Sequence, residues 1–197
     1  MKKNFFIIIF LIFAFTQKSF GYSSDPKQFI TEIVNEAKDI LVDTNTKEFK
    51  ATKLSEIALR TVDIKGVAYY SLGNYRKQLT DEQLKEYLAL FEKYFLKSFT
   101  SRLTDYSDPK IDVLSTEVIN AKYTIVKSIL LATDKKPEVK IEWRIYTKNP
   151  DKPLIRDLII EGLSLARTQK EEFASVIETN NGDISKLFIT LKEFTAK

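Results

Sequence analysis

The spacing of apolar residues changes twice along this chain, and those two changes restrict its fold more than any other feature. Before Pro109 the apolar residues recur every three or four positions, as on a helix buried along one face. From Ile111 they alternate, as in half-buried strands, and from Thr168 the helical period returns. Helices, then a meander of strands, then helices describe an α+β fold, with helices packed on a twisted antiparallel sheet. Residues 22–197 are expected to form one domain, without internal repeats or linkers.

Local signals place the elements. Asp25 and Pro26 suit a helix start, a capping carboxylate before a proline whose missing N–H costs nothing there. Phe29, Ile30, Ile33, Val34, Ala37, Ile40 and Leu41 follow as one stripe. Asp43 to Lys50 reads as a polar link. Leu54, Ile57, Ala58 and Val62 continue helically, and Asp63 caps a short helix that ends at Gly73. Thr80 to Gln83 is a capping box, with Leu79 and Leu84 placed as a hydrophobic staple. The long helix it opens carries Tyr87, Leu88, Phe91, Tyr94, Phe95, Phe99 and Leu103, and stops before Asp108 and Pro109.

Strands are expected over Tyr123–Leu131, Val139–Tyr146 and Leu154–Leu165, with turns at Thr133–Pro137 and Asn149–Pro153. Short connections between consecutive strands imply antiparallel pairing. A second capping box at Thr168 and Glu171 opens the next helix, which Asn181 and Gly182 close. Asp183 caps the last one.

The chain has no histidine and no cysteine. That removes the usual general base, the commonest metal ligand, the thiol nucleophile and every disulfide. Gly162-Leu163-Ser164-Leu165-Ala166 resembles a nucleophile elbow only superficially, because the histidine partner is missing. No glycine-rich phosphate loop and no metal-binding spacing is present, so neither enzyme activity nor a cofactor is expected.

Lys2 and Lys3 precede an apolar run from Phe5 to Phe15, too short to span a bilayer, and the small residues Ser19 and Gly21 follow. Residues 1–21 are therefore expected to be a cleavable export signal. Losing Lys2, Lys3 and Lys18 leaves 28 basic against 27 acidic residues, a net charge of +1. Mixed charges without a basic patch exclude an electrostatic nucleic-acid partner. A cysteine-free exported chain of this size suits the bacterial periplasm.

Two ordered motifs carry a resemblance. The first is Val62-Asp63-Ile64, then Leu72-Gly73-Asn74-Tyr75 and Thr80-Asp81-Glu82-Gln83. The second is Asp157-Leu158-Ile159-Ile160-Glu161-Gly162-Leu163-Ser164-Leu165, followed by Phe173 and Gly182-Asp183-Ile184. In this order they resemble the MlaC (toluene-tolerance) family across essentially the whole exported chain. Arg76 and Pro153 stand where that family commonly has tryptophan. The resemblance implies an NTF2-like α+β fold enclosing an apolar pocket for phospholipid tails. It also implies transfer of lipid between an outer-membrane lipoprotein complex and an inner-membrane ABC transporter with an MCE-type lipid-binding subunit, keeping the outer membrane asymmetric. The carrier is expected to be a monomer.

Under that reading Val67, Tyr70, Leu72, Phe91, Phe95, Phe99, Ile141, Trp143, Ile159 and Leu163 are the candidate pocket-lining residues. Periodicity alone does not separate a cavity wall from a filled core, and aromatic stripes on helices are ordinarily core. A small-solute binding module on the same fold, and an interaction protein with a filled core, are the alternatives.

Overall fold

The computed structural model describes residues 21–134 and 137–196. Apart from Gly21, the expected export signal lies outside them. Among the described residues the elements run α1 (Pro26–Val42), α2 (Lys47–Thr61), α3 (Ile64–Leu72), a 3-10 stretch (Gly73–Gln78) and α4 (Asp81–Leu103). Strands β1 (Ile111–Asn120), β2 (Tyr123–Leu130), β3 (Val139–Tyr146), β4 (Leu154–Ile160) and β5 (Leu163–Ser164) follow, then α5 (Leu165–Glu178) and α6 (Ser185–Ala196). No helix among the described residues is long and apolar enough to cross a membrane.

The helix ends follow their local chemistry. Asp25 accepts from the Gln28 N–H, Asp63 from the Gly66 N–H, and both bonds of the Thr80–Gln83 capping box are present. Gly73 closes α3 with φ +57°. Helix α2 begins inside the stretch expected as a polar link, because Thr46 caps it by accepting from the Phe49 N–H.

Two expectations near the second motif are corrected. The strand expected over Leu154–Leu165 breaks at Glu161 and Gly162, both at positive φ (50° and 81°), the geometry of a two-residue hairpin turn. The chain folds back so that Leu163 and Ser164 pair with Ile160 and Ile159. Helix α5 then starts at Leu165, capped by Ser164, not at the expected Thr168 capping box. Thr168 sits within the first turn, and its hydroxyl donates to the Ser164 carbonyl.

The five strands lie in sequence order and all pair antiparallel. A bridge from Val62 to Ile155 ties the junction of α2 and α3 to β4. Two apolar cores result. In one, Phe29, Ile30, Ile33 and Val34 of α1 with Leu54 and Ile57 of α2 cover Val126, Ile145 and Ile155 on one face of the sheet. In the other, α3, α4, α5 and α6 close around Tyr87, Phe91, Phe173 and Phe188. Tyr87 is fully buried there, and its hydroxyl donates to the Ala68 carbonyl at 3.0 Å. Burial pushes its pKa well above the usual tyrosine value.

Candidate functional site

Successive strand residues point to opposite faces, so the face away from α1 carries the other parity. Two cross-strand rows form its floor. One runs Glu117–Ile125–Arg144–Asp157, and the next Ser115–Lys127–Glu142–Ile159. Above this floor stand Gly66, Val67 and Tyr70 of α3 and Ala166 at the start of α5. Together they enclose a cavity of about 700 Å³, a size ordinary for a small-molecule site. Its apolar wall is Val67, Tyr70, Ile119, Ile125, Ile159 and Ala166, with Tyr123 and Asn120 at the hairpin end. Tyr70 and Ile119 are each about half exposed, which makes the cavity open to solvent.

Two carboxylates hold the helices in place over the sheet. Asp63 caps α3 and also receives the Arg156 guanidinium, with Nε at 2.7 Å and a terminal nitrogen at 2.6 Å. Arg156 further donates to the Tyr123 hydroxyl at 2.8 Å and lies 3.8 Å above the Tyr146 ring. Burial works against the charge of Arg156, but the bonds to Tyr123 and Asp63 outweigh it and its pKa is raised. A Cβ at Gly66 would stand 2.4 Å from the Asp63 carboxylate, so only glycine leaves room for this arrangement.

Asp157 does the same for α5. It is buried, accepting from Ser164 Oγ at 2.6 Å and from the Ala166 N–H at 3.0 Å. Ser164 Oγ in turn accepts from the Arg167 N–H, so this serine is a helix cap within a closed hydrogen-bond set. Its hydroxyl proton goes to a carboxylate, and no lysine stands among its described partners, an arrangement that gives no activated nucleophile. Among the described residues no cluster of acidic side chains is positioned to hold a metal ion.

Of the ten sequence-derived lining candidates, the cavity brings together Val67, Tyr70 and Ile159. Leu72 and Phe91 lie buried in the helical core, and Phe95 and Phe99 stack on each other at 5.8 Å beside it. Ile141 and Trp143 have the opposite strand parity. Trp143 packs toward α1, and its Nε1 donates to Ser128 Oγ at 2.8 Å. Leu163 is half exposed on β5, just after the Glu161–Gly162 turn. The polar floor residues Lys127, Glu142 and Arg144 were not anticipated. The alternation of β3 marks Glu142 and Arg144 as one face, which Lys127 joins from β2, but only the docking of α1 decides which face is free.

This is a helix-on-sheet fold with a half-open cavity of mixed polar and apolar lining between α3, α5 and the sheet. The MlaC protein family matches residues 28–193, and the chain belongs to that family. A solved structure described as the phospholipid-binding protein from Ralstonia solanacearum in complex with a phospholipid has the same fold. It superposes with a TM-score of 0.73 at 19% identity, covering 88% of this chain and 97% of that one.

Proposed function

We propose that this protein is a periplasmic phospholipid carrier rather than an enzyme, and that its cavity receives the acyl tails. The observation that carries the reading is the cavity of about 700 Å³ between α3, α5 and the free face of the sheet, in a chain of the MlaC family. The bound phospholipid of the Ralstonia solanacearum protein supports it. Two tails of ~16 carbons, at ~0.8 kcal/mol per CH2, would cost on the order of 25 kcal/mol to expose to water. Lipid therefore crosses an aqueous compartment only inside a carrier. Val67, Tyr70 and Ile159 are assigned to tail contact. The donor and acceptor in this reading are an outer-membrane lipoprotein complex and an inner-membrane ABC transporter with an MCE-type subunit. Energy for transfer then comes from that transporter.

Incubation with phospholipid vesicles, separation, and solvent extraction of the protein tests the reading. The wild type is expected to carry lipid away, and Ile159→Asp, which puts a charge on the apolar wall, to carry several-fold less. If the wild type emerges empty, and is stabilised against heat by small apolar solutes but not by lipid, the small-solute module is the correct reading.

A further inference from the structure

Two turns lie side by side at one end of the sheet, the turn between β1 and β2 (residues 121–122) and the one between β3 and β4 (residues 147–153). The Thr147 N–H donates to the Lys122 carbonyl at 2.8 Å, and Tyr123 pairs with Tyr146 just inside. Together the turns carry Lys122, Lys148 and Lys152, all exposed, and Asp151 is their single carboxylate. None of the three ammonium groups has a hydrogen-bond or ion-pair partner among the described residues. Two anions beside these turns, Glu117 on β1 and Asp63 beneath Arg156, are already neutralised by Lys127 and Arg156. The lysines are far apart in sequence and meet only in the fold, so the chain shows no basic run.

Beside them, Val118 is 76% exposed, the most open large apolar side chain among the described residues, and Ile119 follows it at 50%. Ile119, Asn120 and Tyr123 also line the cavity. Cationic turn, apolar tip and cavity wall are thus one continuous stretch of chain.

We infer that this end of the sheet docks on the surface of an anionic lipid membrane, with the three lysines among the phosphates and Val118 and Ile119 in the interfacial layer. The inference goes beyond the proposed carrier function, and its readout is independent of lipid capture. Lysine decides between a membrane and a protein partner, because protein–protein interfaces are depleted in lysine and use arginine and aromatic residues instead. An anionic bilayer attracts lysines without holding any of them in one geometry. A protruding aliphatic pair next to such charges suits the boundary between headgroups and acyl chains. A lipid leaving the membrane here reaches the cavity past Ile119.

The test is flotation of the exported protein at low salt with vesicles of equal parts phosphatidylcholine and phosphatidylglycerol, against vesicles of phosphatidylcholine alone. The wild type is expected to prefer the anionic vesicles about twentyfold, from about fivefold per lysine less the same factor for Asp151, and to lose the preference in high salt. Replacing all three lysines together, Lys122→Gln, Lys148→Gln and Lys152→Gln, is expected to abolish it. Val118→Asp, which removes an apolar contact and adds a repelled charge, is expected to weaken flotation about tenfold. Trp143 fluorescence checks that each variant is folded.

Equal flotation of the wild type on both vesicles, or a preference kept by the triple variant, overturns the docking surface. If that protein still carries lipid away, the carrier reading stands. Flotation that needs the lysines, in a protein that carries no lipid, overturns the carrier reading and not the docking surface. A triple variant that floats like the wild type but loses lipid transfer in whole cells assigns the lysines to an acidic protein partner and overturns the membrane.

Discussion

Replacing Asp157 by alanine is expected to be among the most damaging single changes in the sheet, because one buried carboxylate positions α5. The side chain is 3% exposed and accepts from Ser164 Oγ at 2.6 Å and the Ala166 N–H at 3.0 Å. Hydrogen bonds to a charged group contribute about 1.5–3 kcal/mol each. The Arg144 contact, long and half exposed, adds at most about 1 kcal/mol. Asp157→Ala should therefore cost about 3–5 kcal/mol, the range for an unpaired buried partner. Asp157→Asn keeps one acceptor oxygen and should lose about 1–3 kcal/mol. Urea unfolding followed through Trp143, the sole tryptophan, reads both as midpoint shifts at constant slope. A loss below about 1 kcal/mol for alanine, or equal losses for the two variants, would refute the reasoning.

Gly66→Ala drives a methyl group into the Asp63 carboxylate and should destabilise by about 2 kcal/mol through the lost cap and displaced Arg156, measured by the same unfolding. Tyr87→Phe leaves the Ala68 carbonyl without its donor and should cost about 1–2 kcal/mol. Because the folded pKa of Tyr87 is raised, its stabilising contribution is complete below about pH 10 and is lost as pH rises further. The wild type should accordingly show an alkaline fall in stability above that pH that Tyr87→Phe lacks in part. Among the described residues Ser71 Oγ is buried without a partner, so Ser71→Ala should be neutral or stabilising by up to about 1 kcal/mol in thermal denaturation.

What was legible in the sequence is what short-range chemistry decides. Asp25, Asp63, Thr80 with Gln83, Gly73 and Gly182 mark their helix ends because each acts within a few residues of the backbone it satisfies. Helix α5 starts before the expected Thr168 capping box because the cap that prevails, Ser164, is itself held by Asp157 across the Glu161–Gly162 turn. The candidate site was less legible. Val139–Tyr146 announces two faces, but the match between the α1 stripe and Trp143 and Ile145, which covers one of them, is a tertiary event. It leaves Glu142 and Arg144 on the cavity floor, where a reading by hydrophobicity would not look. Likewise Phe91 finds partners in Tyr87 and Phe173 on its own and a neighbouring helix, and that pairing is invisible in spacing.

The most direct test of the carrier account is native mass spectrometry of the full chain, expressed for export in a bacterial host and purified from the periplasm without detergent. The account predicts a mass excess equal to one phospholipid per chain, released by solvent and identified by its fragments. A chain of bare polypeptide mass that also takes no phospholipid from vesicles would contradict it.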